Sequence, residues 1–454
     1  MLFERIESRG LAHYSYLIGE LNAAVVIDPR RDCQEYMERA AAEGMRITDI
    51  LETHRHEDFA VGSVELSSRT GAAIWHADSA LDYRYGRPVE DGQSWKVGRL
   101  ALEALHTPGH TPGSMSYLLR DAAGAPWMVF TGDALFSGDV GRVDLLGMDR
   151  AEEMAGMLYH SIFRRLLPLG DGVLVCPAHG SGSVCGTSIA DRPWTTLGME
   201  RMHNPRLQVM SGEEFASLVA VELERPPYFR RMEALNIQGA PLSAIPLPPP
   251  LSPKEFAREA RDAVVVDTRM EIGYGAAHVP SSQFIWHDGL ASFAGWLLPY
   301  DRPLLLVSET NNPEQAVRTL LRLGYDDFAG FLAGSMLSWH MAGLESASIQ
   351  TITVQELCRR LAAKAQAWIL DVRAGEELAR AGRIEGAVHI HVTRIPERMQ
   401  EVPKDRRIYI FCGSGMRSMV AASWLKGRGW KDLVVVLGGL AGWKSLTCPI
   451  VQQG

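Results

Sequence analysis

Over residues 1 to about 210, short apolar runs alternate with Gly/Pro turns and a few helical segments. Ala23–Asp28 reads as a strand, Gln34–Ala42 as a helix ended near Gly44, and the apolar positions Ile47, Ile50 and Leu51 as a further buried strand. Val129–Asp133 and Val173–Gly180 each read as a strand whose end delivers a polar side chain, Asp133 and His179. The Pro-rich stretch Ala240–Pro253 fits neither a helix interior nor a central strand and reads as a stiff linker.

Beyond it the pattern repeats. Val264–Arg269 (VVVDTR) matches Trp368–Arg373 (WILDVR), with Asp267 and Asp371 104 residues apart. The same offset relates Ser308 to Cys412, Gly334 to Gly438 and Trp339 to Trp443, and Ala277–Pro280 matches Gly382–Glu385 at an offset of 105. Two copies of one α/β unit follow, each with the strand–helix alternation of a parallel sheet. Domains are expected at 1–240, 250–347 and 350–454.

Composition narrows the class. The 454 residues suit about three domains at roughly 150 each. A charge of −8 favours solubility and argues against a nucleic-acid partner. No stretch reaches membrane-span length and Met1–Gly19 lacks a secretory pattern, so no membrane partner and a cytoplasmic location are expected. Six cysteines show neither CxxC spacing nor a dense framework, so no disulfide is expected.

Candidate chemistry begins at Glu52–Phe59 (ETHRHEDF), where His54, His56 and Asp58 leave a strand end within five positions. Such crowding of nitrogen and oxygen donors suits a transition metal. His110 lies in the turn-rich loop His106–Ser114, and Asp133 and His179 follow the strands named above. These motifs, in this order, resemble the metallo-β-lactamase superfamily over roughly residues 1–210, which implies an αββα sandwich. For a dinuclear hydrolase of that superfamily, the resemblance implies one metal on His54, His56, His110 and Asp133. A second metal would use Asp58, Asp133 and His179, but Phe59 stands where its further histidine is needed.

The persulfide dioxygenases of the superfamily are the better match. That resemblance implies one Fe(II) per chain on His54, His110 and Asp133, with His56, Asp58 and His179 in the outer shell. Zinc, the alternative metal, has no redox chemistry to offer such an oxidation. Arg142, in Ser137–Asp144, has two readings: anchor for an anionic substrate, or a surface salt bridge.

A second constellation lies near the C-terminus. Arg407–Phe411 reads as a buried strand, followed by the loop Cys412-Gly413-Ser414-Gly415-Met416-Arg417 and the helical Ser418–Lys426. Loop N–H groups and a helix start can converge on Cys412 and stabilise a thiolate or persulfide, with Arg417 adding positive charge. Arg417 is five positions after Cys412, where cysteine phosphatases use six, which favours a compact sulfur ligand over phosphate. Asp371–Arg373, the Cys412 loop and Gly438–Trp443 resemble the rhodanese family over about 350–454. The resemblance implies Cys412 and Arg417 as catalytic residues and Gly413, Ser414 and Gly415 as the substrate cradle. Asp371 and Arg373 are expected to brace the fold. In the first copy Ser308 replaces the cysteine, Pro313 the arginine, and both loop glycines are lost, so that copy is expected to be inactive.

The expected protein is thus an α/β multidomain chain: an αββα sandwich followed by two rhodanese-like domains with parallel sheets. Its expected activity oxidises small-molecule persulfides of glutathione, coenzyme A or another thiol with O2 to sulfite. Cys412 would then pass sulfane sulfur to sulfite, giving thiosulfate. A zinc-dependent glyoxalase II-like thioester hydrolase is the alternative, and a non-catalytic sulfur carrier the third class. A homo-oligomer is expected.

Overall fold

The computed structural model describes residues 1–240, 242, 245–363, 367–446 and 448–450. Two six-stranded sheets form the first part of the chain. One runs in the order Leu2–Ser8, His13–Glu20, Ala23–Ile27, Arg46–Leu51, Ala73–His76, Arg87–Pro88. The other runs Thr195–Thr196, Leu174–Pro177, Pro126–Gly132, Met115–Arg120, Leu100–His106, Ser94–Val97. Tyr16, Ile18, Val25 and Ile27 of the first sheet pack with Leu102, Tyr117, Leu119 and Phe130 of the second, which makes the inter-sheet core. Residues of the opposite strand parity face outward, as period-two alternation requires. Val26 and Ile50 pack there on Tyr36 and Ala40 of the helix Gln34–Ala42. Leu118, Val129 and Val175 pack on Met154 and Leu158 of Met148–His160. The layering is αββα, with mixed sheets.

The sequence-predicted strands and helix stand at Ala23–Ile27, Gln34–Ala42 and Arg46–Leu51, with Gly44 left-handed (φ 67°) after the helix. Strands Arg46–Leu51, Pro126–Gly132 and Leu174–Pro177 each end where a donor-bearing loop begins.

Two five-stranded sheets follow, parallel in every pairing: Pro250–Leu251, Phe328–Leu332, Leu304–Val307, Val264–Asp267, Gln283–Phe284, and Gln350–Thr353, Leu433–Leu437, Ile408–Phe411, Trp368–Asp371, Val388–His389. By internal contacts the chain divides into Met1–Ile245 with Leu321–Gly324, and Pro246–Leu320 with Tyr325–Gly454. Within the second unit the repeats share a core: Tyr274, Phe284 and Leu297 of the first pack with Leu370, Ile390 and Met419 of the second. Ser423 Oγ accepts bonds from Gln283 Nε2 (2.7 Å) and Phe284 N (3.0 Å) across the same seam.

The internal symmetry reaches single bonds. Arg269 pairs with Asp267 and donates to the Ala277 carbonyl at 2.8 Å; Arg373 pairs with Asp371 and donates to Gly382 at 2.9 Å. These buried pairs brace the strand ends, the role expected of Asp371 and Arg373. Gly334 and Gly438 both cap helices in the left-handed conformation.

Two expectations need correction. Cys358 and Cys448 form a disulfide, although none was expected. They are 90 residues apart in sequence, yet the helix Val354–Ala362 and the segment after Gly439–Ser445 bring their Cα atoms within 6.1 Å; no local spacing signals such a pairing. The linker expected over 240–253 is also shorter. Pro250–Leu251 forms an edge strand, where a missing N–H is tolerated, and Pro253 opens the helix Pro253–Glu259 behind a Ser252–Glu255 capping box. Pro241, Ser243 and Ala244 of that stretch lie outside the described residues. Among the described residues, no helix is long and apolar enough to cross a membrane.

Candidate metal centre and thiol loop

His54, His110 and Asp133 arrive from three loops and meet in the interior, each about 1% exposed. Asp133 Oδ2 lies 3.5 Å from His110 Nε2 and 3.8 Å from His54 Nε2. Their other polar atoms are engaged. His110 Nδ1 donates to the Arg142 carbonyl (2.9 Å), and His54 Nδ1 to Thr53 Oγ1 (2.9 Å), which donates to Asp28 Oδ2 (2.8 Å). Both tautomers therefore leave Nε2 bare. Those two nitrogens and Asp133 Oδ2 have no hydrogen-bond partner among the described residues. Each buried unpartnered polar atom costs about 1–3 kcal/mol. Three such atoms converging as acceptors fit a cation, and the two-imidazole, one-carboxylate set suits a transition metal.

Glycine permits the approach. Gly132 is left-handed (φ 53°), and a Cβ there would sit 2.7 Å from Thr53 Oγ1. Asp78 ties the loops: Oδ2 accepts from Arg55 N (2.9 Å) and Thr111 Oγ1 (2.9 Å), Oδ1 from Gly113 N (3.0 Å).

The electrostatics follow the packing. Burial, with His56 beside it, holds His54 well below the usual imidazole value. Burial alone would raise Asp133, but the surrounding His179, His54 and His110 hold it far below the usual carboxylate range. His179 is raised despite burial, because it donates from Nδ1 to Asp133 Oδ1 (2.8 Å) and from Nε2 to Asp58 Oδ2 (2.9 Å). Both its nitrogens are thus used within the protein. His56 Nε2 faces Asp28 Oδ1 at 3.0 Å. Phe59 is fully buried, its ring 3.8 Å from His13 and 4.6 Å from His56.

Arg142 stands apart from the bare donors. Its five N–H groups are all spent, on both Asp144 oxygens (2.7 Å each) and the carbonyls of Val184, Glu224 and Leu223. None is left for a substrate; the salt bridge is the reading the geometry favours, and it is buried, not at the surface.

Residues that sequence reasoning passed over also gather here. Asp28 orients the Thr53–His54 relay, Glu57 is buried beside His110, and His13 packs on Phe59. Cys185 joins Asp58 and His179 in a second donor group within 4.8 Å, its thiol pushed up chiefly by burial. A cleft of about 290 Å³ opens beside His110, lined by Arg55, Leu81, His106, Thr111, Pro112 and Leu146.

In the second unit, Cys412 follows Ile408–Phe411 and precedes the helix Met416–Lys426. Gly415 N–H donates to its sulfur at 3.1 Å, and the carbonyls of Cys412, Gly413 and Ser414 accept from Leu440, Ala441 and Gly438. Gly415 has φ 131°, a region closed to most side chains. Arg417 forms a two-pronged pair with Glu377, whose carboxyl that bond lowers to about 2. His391 is held down to about 4 by burial and the nearby Arg417. In the first repeat Ser308 Oγ donates to the Thr310 carbonyl, and Asn311 and Asn312 side chains accept N–H bonds from Gly334 (3.0 Å) and Glu314 (2.9 Å), filling the loop.

Fold and site together define an αββα protein with an interior set of candidate metal ligands, extended by two parallel-sheet α/β repeats. The family model for the metallo-beta-lactamase superfamily matches residues 8–179, and that for the rhodanese-like domain matches 252–342 and 353–446. The human mitochondrial persulfide dioxygenase ETHE1 is 34% identical over 221 residues, covering 47% of this chain and 78% of that protein. Hydroxyacylglutathione hydrolase GloC of Haemophilus influenzae is 29% identical over 213 residues, covering 42% and 90%. A metallo-beta-lactamase crystal structure from Staphylococcus aureus aligns with a TM-score of 0.65 at 31% identity, covering 73% of this chain and 98% of that one. The chain belongs to the metallo-beta-lactamase superfamily, in a fusion with two rhodanese-like domains and with persulfide dioxygenases among its relatives.

Proposed function

We propose that this chain is a persulfide dioxygenase joined to a sulfurtransferase, with domains at 1–240, 250–347 and 350–454. The observation that carries the reading is the trio of bare acceptors on His54, His110 and Asp133, taken together with a rhodanese-like thiol loop elsewhere in the same chain. Bound there, Fe(II) supplies the redox chemistry for RSSH + O2 + H2O → RSH + sulfite + 2 H⁺. The protein's own part is orientation. The Asp28–Thr53 relay holds His54, the Arg142 carbonyl holds His110, and His179 holds the far oxygen of Asp133. His56, Asp58 and His179 act as outer-shell residues. The cleft lined by Arg55, Leu81 and Leu146 takes the thiol carrier, glutathione or the thiol end of coenzyme A.

At the second site, the Cys412 thiolate takes the outer sulfur of a persulfide and releases RSH. The resulting enzyme persulfide is attacked by sulfite, its S–S bond breaks, and thiosulfate leaves with the thiolate restored. The Gly415 N–H and the Gly413–Gly415 cradle steady the sulfur's negative charge, and Arg417, held by its pair with Glu377, flanks the loop. The first repeat carries no sulfur and serves to buttress the second through the shared core.

A zinc-dependent thioester hydrolase is the second reading, supported by the likeness to GloC. One experiment separates them: oxygen consumption and sulfite release with glutathione persulfide, beside S-lactoylglutathione hydrolysis, for iron-loaded and zinc-loaded protein. Oxygen uptake confined to the iron form is expected. Hydrolysis by the zinc form, with no uptake by the iron form, would overturn the proposal.

A further inference from the structure

The Cys412 loop has an ion pair lying against it. Arg417 donates from Nη1 to Glu377 Oε2 and from Nη2 to Oε1, the latter at 2.8 Å. A Cβ placed on Gly413 would sit 3.1 Å from Arg417 Nη2 and 3.8 Å from Glu377 Oε1, so the pair rests on the residue that follows the thiol. Glu377 is itself anchored, since Oε2 also accepts from Ala374 N (3.0 Å) at the start of the helix Gly375–Ala381. Neighbouring groups add little charge: Arg373 is committed to Asp371 and the Gly382 carbonyl, and burial keeps His391 neutral above about 4. A guanidinium binds an oxyanion best through two parallel N–H bonds, and a carboxylate already fills that fork. The two side chains are 21% and 27% exposed, which leaves the pair in solvent reach, where such bonds exchange readily.

We infer that Glu377 is a specificity-determining residue of the thiol site: it holds the Arg417 fork that a small oxyanion would take, so sulfite is bound there only by displacing it. Small oxyanions are thereby handicapped at Cys412 against neutral groups of similar size. Glu377 acts through Arg417 and through its own charge, and touches no reacting atom. The identity of the oxyanion rests on the sulfur transfer proposed above; the charge effect does not.

Two readouts on the full chain test it. In thiosulfate formation from glutathione persulfide and sulfite, Glu377→Gln is expected to lower the KM for sulfite about tenfold, with kcat within about threefold. The amide oxygen still accepts from Ala374 N, so the helix start is kept. Glu377→Asp retains the charge and is expected to restore that KM to within about threefold of wild type; an equal drop there would overturn the inference, because charge would not be its cause. The second readout needs no sulfur transfer. It is the rate of Cys412 alkylation by anionic iodoacetate divided by the rate with neutral iodoacetamide, followed by the mass of the Cys412 peptide. Glu377→Gln is expected to raise that ratio about tenfold. Either readout unchanged, or no alkylation of Cys412 in either protein, would overturn the inference. A raised ratio in a chain that makes no thiosulfate would leave it standing while sinking the sulfur-transfer proposal.

Discussion

Replacing Phe59 by histidine asks whether one side chain keeps a second metal out. The phenyl ring is fully buried between His13, at 3.8 Å, and His56, at 4.6 Å. In the metal-free protein the new imidazole brings two polar nitrogens into this contact; one can pair with the unpartnered His13 Nε2, which leaves the other without a partner. An unpartnered buried N–H costs about 1–3 kcal/mol. Lost apolar burial adds about 1 kcal/mol, so Phe59→His should destabilise the metal-free first unit by about 3 kcal/mol. For a domain of this size that lowers the melting temperature by roughly 6–12 °C. Zinc should reverse most of it, because the new nitrogen joins Asp58 and His179, and an ion at 100 times its Kd returns about 2.7 kcal/mol. The assay is a thermal melt of metal-free and zinc-saturated protein, with metal content measured on the same samples. Metal content that does not rise above wild type, with no extra stabilisation by zinc, would refute this view of Phe59.

Three further outcomes are expected. Cys412→Ser should lower thiosulfate formation from persulfide and sulfite at least about a hundredfold and leave oxygen uptake within twofold; loss of both would refute separate sites. Arg142→Met strands Asp144 in the interior and should cost about 3–5 kcal/mol of stability by denaturant titration, with substrate KM unchanged; a raised KM at wild-type stability would return it to substrate binding. The second unit should lose stability as pH falls from 6.5: His278 and His391 stay neutral down to about 4 in the folded state, while the unfolded chain takes up protons below 6.5. Each can cost up to about 3 kcal/mol by pH 4. Glu377 adds a loss between 4.5 and about 2, as the partner of Arg417 is protonated. A denaturation midpoint unchanged between pH 7 and 5 would contradict this.

Much of the candidate site was legible because its proposed donors sit at strand ends in short motifs. His54, His110 and Asp133 could be named as candidates from spacing and resemblance, and so could Cys412. What stayed hidden depends on direction and on long-range approach. Glu57 lies within the opening motif, but nothing in its letter says that Oε2 turns to His110. Asp28 lies 25 residues before Thr53 and reaches it because the strands they follow pair side by side in parallel. Cys185 sits in a glycine-serine loop with no ligand spacing, and the Cys358–Cys448 bond spans 90 residues. Arg142 shows the opposite difficulty: a Gly-Arg pair near a site looks like an anion anchor until its hydrogen bonds are counted. The internal repeat was the most transparent feature, since its 104- and 105-residue offsets correspond to matched strands and matched arginine–carbonyl bonds.

The most direct test of the proposed centre is the iron content of protein purified and reconstituted without oxygen, wild type beside His54→Ala. One iron per wild-type chain, lost in His54→Ala, is the predicted result. Two ions per wild-type chain, or iron retained in full by His54→Ala, would contradict a single metal held by His54, His110 and Asp133.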